Sequence, residues 1–325
     1  MRERRGTVKR RADEQYSLAE AFIGRKLGTN ARLERIEGLV KWYRFEKLLG
    51  RLHDAPVGRP SYPVLVMFKA LLLQQWYGLS DVELEEALND RLSFRRFVGL
   101  GLDEPTPDHT TLCRFRNDLA ATGLADKLFA EMNRQLEQLG LMLKRGTLID
   151  ATLVQAAVNQ SGSAAAPSDP DAAFTKRSGK PGGTFGFKAH IAMDEGSELV
   201  RAAQLTPANV NETVVADALV QGDEGAVYAD RAYDTHARRA ALRARGVKDR
   251  IMHRPNKHHP ELPRWQQRRN RLIARIRGRV ETAFAVLKRH YGWTRVRYLG
   301  LAKNQSHLHL LCIALNLRRA VALGA

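Results

Sequence analysis

Cysteine is scarce: 325 residues hold two, Cys113 and Cys312. They lie far apart and neither has metal-ligand spacing, which excludes a disulfide framework and a cysteine-rich zinc site and leaves reduced, cytoplasmic thiols as the expectation. Long apolar runs are also missing. The most apolar stretch, Tyr62 to Tyr77, is broken by Lys69, Gln74 and Gln75. It is too short to span a bilayer and reads as a buried core helix. No apolar segment follows the charged start MRERRGTVKRR, so a signal peptide is not expected. There is no internal repeat. Acid is the minority charge: 35 Asp+Glu stand against 53 Lys+Arg, a net charge of +18 with a pI near 10.3. Such a surplus favours polyanions, nucleic acid first, with a solvated basic surface or a membrane surface as the weaker readings. With 44% hydrophobic and 27% charged residues the composition is globular. The length suits one large domain or two ordinary ones.

The texture of the chain changes near residue 140. Residues 1–14 form a basic tail. From 15 to 140 short helical patterns alternate with Gly/Pro turns. Trp42, Phe45, Leu48 and Leu49 mark one apolar stripe, and Ser80-Asp81-Val82-Glu83 reads as a capping box. Asp108 or Thr110 caps a helix carrying Cys113, Arg114, Phe115, Arg116 and Leu119. Short helices with arginines on the outside fit a DNA-binding region of helix-turn-helix type, with Arg114 and Arg116 as candidate DNA contacts. The pattern of 141–325 is strand Thr147–Val154, a Ser/Ala/Pro/Gly-rich flexible loop at 159–183, and a hairpin of Phe185–Met193 and Leu199–Leu205. A helix follows, then strand Ala226–Ala229, helix His236–Arg245 and strand Asp249–His253. A long helix, Trp265–His290, and a last one, Gln305–Val321, close the chain. This order predicts an α/β fold, a mixed sheet flanked by helices. His190, His236, His253, His258 and His259 have no zinc spacing and read as surface or phosphate-facing residues.

The acids carry the chemical signal. Asp150 interrupts Thr147-Leu148-Ile149 and Ala151-Thr152-Leu153-Val154, and a charge inside such a run is costly without a partner. Asp230 ends Val227-Tyr228-Ala229, with Asp234 as an alternative nearby. Both acids sit where a short apolar strand runs out, the place where α/β sheets gather their sites. Glu281 lies on the long helix. At 100° per residue a continuous helix puts Arg277, Glu281 and Lys288 within about 60° of one another, beside the apolar face. The plain alternative is a solvated Arg277–Glu281 pair four residues apart. Three converging carboxylates suit hard cations with oxygen ligands, Mg²⁺ or Mn²⁺, and a pair of such ions suits phosphoryl transfer. Arg277, Lys288 and Arg231 would face phosphate.

TLIDATLVQA (147–156), YADRAYDT (228–235) and RIRGRVETAFAVLKR (275–289) resemble, in order, the three acid-bearing segments of bacterial insertion-sequence DDE transposases, closest to the IS-five type. SYPVLVMFKALLLQQWYGLSDVELEEAL and PDHTTLCRFRNDL are similar to the N-terminal domain of that group. The resemblance implies an RNase H-like catalytic domain at 141–325 and a helical N-terminal transposase domain at 15–140. It implies Asp150, Asp230 and Glu281 as catalytic ligands of two Mg²⁺ or Mn²⁺ ions, with Arg277 and Lys288 as the basic partners of the glutamate. It further implies binding to the element's terminal inverted repeats in double-stranded DNA, end cleavage and strand transfer. A homodimer or larger synaptic complex in the bacterial cytoplasm, associated with the nucleoid and not with a membrane, goes with it. A metal-dependent nuclease of the same fold, or an inactive DNA-binding regulator, is the alternative. One position departs from the related signature: Ala274 stands where a tyrosine precedes the arginine by three residues.

Overall fold

The computed structural model describes residues 28–53, 61–160, 168–176, 182–255 and 260–324. The basic tail at 1–14, His258 and His259 lie outside them. The chain divides into two compact units, Met1–Gln135 and Leu136–Ala325.

The first unit is helical: α1 (Ala31–Leu39), α2 (Trp42–Leu49), α3 (Val64–Tyr77), α4 (Asp81–Asp90), α5 (Leu92–Val98), α6 (His109–Thr122) and α7 (Leu124–Gln138), the last running three residues past the boundary between units. Helix α3 is apolar on all sides, and it is buried from Val66 through Gln75. Its one charge, Lys69, is accommodated by Glu37, 2.7 Å away, and by the Trp42 ring, 4.6 Å from the ammonium. Phe45 stacks on Phe68 at 5.3 Å, and Trp42 meets Phe97 edge-on at 5.9 Å. The capping box forms: Glu83 N donates to Ser80 Oγ at 3.2 Å and Ser80 N to Glu83 Oε2 at 2.7 Å. Asp108 caps α6, its Oδ1 accepting from Thr111 N at 2.7 Å.

The second unit is built on a mixed sheet of β1 (Thr147–Gln155), β2 (Ala173–Thr175), β3 (Thr184–Asp194), β4 (Val200–Pro207), β5 (Ala226–Ala229) and β6 (Lys248–Ile251). β3 pairs antiparallel with β1 over Thr147↔Asp194 to Gln155↔Gly186. β4 and the short β2 take the other edge of β3 in succession. β5 then lies parallel to β1, and β6 parallel to β5. The sheet thus reads β4–β3–β1–β5–β6, three antiparallel strands followed by two parallel ones. Residues alternate faces along a strand. Ile149, Val227 and Ala229 enter a core with Val215 and Leu219 of α8 (Glu212–Leu219) and Leu242 of α9 (His236–Ala244). The opposite face, with Leu148, Asp150 and Thr152, receives α10 (Arg264–Arg277) and α11 (Val280–Arg289).

The segment 159–183, expected to be a loop, contains β2, and Phe174 packs on Phe185 with ring centroids 5.0 Å apart. Two of its acids cap α12 (Leu301–Ala322), whose own N-cap is a glycine: Asp171 Oδ2 accepts from Leu301 N at 2.7 Å and the buried Asp169 from Gly300 N at 3.1 Å. Carboxylates satisfy the orphan amides of a helix start and match its dipole, so this segment is tied to the last helix. Helix α12 covers the free edge of β4. Asn316 exchanges two bonds with Val200, N–H to Oδ1 at 2.7 Å and Nδ2 to O at 2.8 Å. Gln305 does the same two strand positions apart, accepting from Leu205 N at 2.6 Å and donating to Ala203 O at 3.2 Å. Amide side chains here replace a neighbouring strand.

The single helix expected over 265–290 is two. Gly278 and Arg279 keep right-handed dihedrals, but Arg279 N, Glu281 N and Thr282 N donate three residues back (3.2, 3.2 and 3.1 Å) instead of four. That tight turn separates α10 from α11 and advances each residue by about 120° instead of 100°. The phase that joined Arg277 to Glu281 is lost there. His190 is corrected too: it is fully buried on β3, with Nε2 2.9 Å from Thr206 Oγ1, and is not a surface residue.

Candidate active site

Asp150 and Asp230 come together because of strand register. β1 and β5 are aligned at Thr147↔Val227 and Leu148↔Tyr228. Carried two residues on, that register brings Asp150 and Asp230 to the same face of the sheet, near enough that the Asp230 charge raises the Asp150 carboxyl. Asp230 closes β5 by capping a single 3₁₀ turn, its Oδ1 accepting from Ala232 N at 2.7 Å. Asp234 is engaged elsewhere, with Arg239 Nε at 2.8 Å, so Asp230 is the acid of this segment that faces Asp150.

Asp150 is largely buried, its side chain 17% exposed. Burial pushes its carboxyl up to about 6; the Arg277 guanidinium and the Ala151 amide pull the other way, and Asp230 and Glu212 push it further up. Arg277 Nη1 donates to Asp150 Oδ2 at 2.8 Å, and Ala151 N to Oδ1 at 2.9 Å. Lys288 Nζ donates to Thr152 Oγ1 at 2.6 Å, one pleat along the same face. Both cations of the expected trio thus point at β1. Glu281 sits exposed in the first turn of α11, and among the described residues no three His, Cys, Asp or Glu side chains form a group able to hold a metal ion. The structure joins Asp150, Asp230, Arg277 and Lys288 on the α10–α11 side of the sheet and leaves Glu281 out of the cluster.

Three further residues belong to this neighbourhood. Glu212 opens α8 and lies 3.5 Å from Lys188, whose Nζ also donates to Val210 O at 2.9 Å. Tyr233 is fully buried; burial raises its phenol, and Glu212, Asp150 and Asp230 raise it further. Its hydroxyl and Arg277 Nε are buried donors with no acceptor among the described residues. Thr152 was legible through the two-residue strand period from Asp150. Glu212 was hidden behind Asn211, which reads simply as a helix cap and does cap α8, accepting from Thr213 N at 3.0 Å.

Arg231 and Arg114 are exposed, as a phosphate contact requires. Arg116 is not. It is buried and grips Asp81 with both terminal nitrogens, at 2.6 and 2.7 Å, while Gln74 Nε2 donates to the same carboxylate at 2.7 Å. It joins α6 to α4 and is removed from the DNA-contact set. The signal was available: Arg116 follows the buried Leu112 by four residues and precedes the buried Leu119 by three, so it lies on the inner face.

Asp230 follows the end of β5 as expected, whereas Asp150 lies inside β1, which runs on to Gln155 because β3 pairs with it throughout. A sheet of this order with the two acids so placed is an RNase H-like domain, the class that carries out phosphoryl transfer on polynucleotides. Comparison with known families agrees and narrows it. The family model described as Transposase DDE domain matches residues 142–317, and one described as Transposase domain matches residues 22–118. The chain belongs to the DDE transposase family, enzymes of DNA transposition. No solved structure matches the chain. Among the described residues no helix is long and apolar enough to cross a membrane.

Proposed function

We propose that this transposase binds the terminal inverted repeats of its own insertion sequence, cleaves the DNA at the element's ends and joins the resulting 3′-hydroxyls to target DNA. The observation that carries the reading is the lateral pair Asp150 and Asp230, with Asp150 buried beside a guanidinium. An all-oxygen donor set whose own protein pushes the carboxyl toward protonation is matched to a hard cation, and Mg²⁺ or Mn²⁺ fits it. Asp150 and Asp230 would hold the ion or ions, and Glu281 of α11 is the third acid of the reading, joining them when DNA is engaged. Such a cation supplies charge stabilisation to the phosphate and a more acidic attacking water or hydroxyl.

The chain's own part is positional. Arg277 holds Asp150 in one orientation and partly neutralises it, and its unpartnered Nε offers a donor to a phosphate oxygen. Lys288, anchored at Thr152, brings a second positive charge to the same face. Arg231, directly after Asp230, and Arg114 in the helical unit contact backbone phosphates. A homodimer or larger synaptic complex, which must hold two ends, completes the proposal.

The test is a strand-transfer assay with pre-cut 3′-hydroxyl ends and supercoiled target, with Mg²⁺ or EDTA. Wild type forms joined product only with the ion, and Asp150→Ala and Asp230→Ala lose it by 10²-fold or more on the order expected for such groups. Cleavage without joining would move the reading to a nuclease. The second reading, a DNA-binding regulator without catalysis, is favoured by the exposure of Glu281 and by there being, among the described residues, no three-acid group able to hold a metal ion. Equal activity in Asp150→Ala and wild type would remove the catalytic assignment.

A further inference from the structure

Helix α10 contains no acidic residue and six arginines, and they divide sharply. Arg269 and Arg277 face inward, paired with Asp249 at 2.9 Å and Asp150 at 2.8 Å. Arg264, Arg268, Arg271 and Arg275 are exposed, and their spacing of four, three and four puts them within about 60° of one another. That stripe lies opposite the buried Ile273 and extends about 16 Å along the helix. Beside it stand Trp265, 61% exposed, and Leu272, 58% exposed. The Trp265 ring is steadied edge-on against His253 at 5.6 Å.

A charged helix face is usually only solvated, but such faces commonly interleave both signs, which keeps their own repulsion low. Four like charges a turn apart repel, and two large apolar side chains beside them add exposed area with no gain in the free protein. Both costs are relieved by a polyanion with a row of charges and flat apolar surfaces between them. A phosphate backbone has that chemistry, and basic rows interleaved with an aromatic are how it is met.

We propose that the outer face of α10 is a second DNA-docking surface, taking the phosphate backbone of a DNA segment other than the one at Asp150 and Asp230. The stripe points away from the sheet while Arg277 points toward it, so one segment of duplex does not serve both. The inference rests on the reading that this chain acts on DNA and adds where a further segment is carried.

The experiment titrates the full chain with a 30-base-pair duplex of arbitrary sequence, chosen at roughly the length of three helical turns, across a range of salt. Wild type shows a steep fall of log affinity with log salt. In Arg268→Ala/Arg271→Ala the slope is shallower by about 2, close to 0.9 per lost phosphate contact. Arg268→Lys/Arg271→Lys keeps the wild-type slope. Trp265 is the only exposed tryptophan of four, so duplex quenches a fluorescence component that Trp265→Phe lacks. An unchanged slope in the alanine pair, or quenching that survives in Trp265→Phe, overturns the docking surface while leaving DNA binding in place. Absence of any duplex binding by wild type overturns the functional reading and this surface with it.

Discussion

Replacing Asp150 by Asn in the metal-free protein should stabilise the fold, and the gain should depend on pH. A carboxyl held at about 6 in place of its ordinary 3.8 costs the folded state about 3 kcal/mol once both folded and unfolded forms are ionised. The attraction of Arg277 is already contained in that value, since it pulls the carboxyl down while burial pushes it up. The sign follows from proton binding. Between pH 4 and 6 the folded chain keeps a proton that the unfolded chain has released, so stability falls as pH rises through that window. The side-chain amide of the variant has no proton to lose. Asp150→Asn should therefore gain about 3 kcal/mol on wild type at pH 7.5 but only about 1 kcal/mol at pH 4.5, the difference of about 2 kcal/mol being free of how the amide meets Arg277. Urea unfolding in EDTA at the two pH values measures it. A variant less stable than wild type at pH 7.5, or a gap that is the same at both, would mean that the carboxylate is a satisfied structural ion pair. The idea of a cation site at Asp150 would lose its physical basis.

Two other expectations are independent of that site. Arg116→Met removes one side of a buried bidentate pair with Asp81, which should cost about 3 kcal/mol in urea unfolding, while the affinity of the folded variant for duplex DNA stays at the wild-type value. A loss of affinity without loss of stability would restore Arg116 to the DNA contacts. His190 is buried beside Thr206, and burial, with help from Lys188, lowers it to about 4. The unfolded chain binds a proton below pH 6.5 that the folded chain refuses until about 4, so stability drops as pH falls through that window. His190→Gln should remove about 2–3 kcal/mol of the loss between pH 7.5 and 4.5, and an unchanged acid profile in the variant would show that the ring is not held neutral.

The strands were legible where acids punctuate β-branched and aliphatic runs: Asp150 and Asp230 each mark a strand that the sheet then aligns. The capping box at Ser80 and the buried character of α3 were equally plain, because both are local. Gly278 was not legible. It sits in unbroken helical periodicity with right-handed dihedrals, so only the change from four-back to three-back hydrogen bonds reveals that α10 and α11 are separate. The helical phase that set Glu281 beside Arg277 assumed a continuous helix, and the break removes that argument and leaves the one from family resemblance. Arg114 and Arg116 look alike in composition, yet two residues on a helix differ by about 200° in direction, and one faces solvent while the other faces Asp81. Asp169 and Asp171 show a different limit. Their partners, Gly300 and Leu301, are 131 and 130 residues away, and nothing in a Ser/Pro-rich stretch announces a cap for so distant a helix.

The amide ladder from α12 to β4 bears on the order in which the chain is made. Synthesis delivers all the strands before Gln305 and Asn316 leave the ribosome. Until then the peptide groups of Val200, Ala203 and Leu205 face outward as a ready template for a foreign strand. A premature stop or frameshift after Ile251 and before Leu301 therefore leaves all six strands with the margin of β4 open, prone to recruit its own copies.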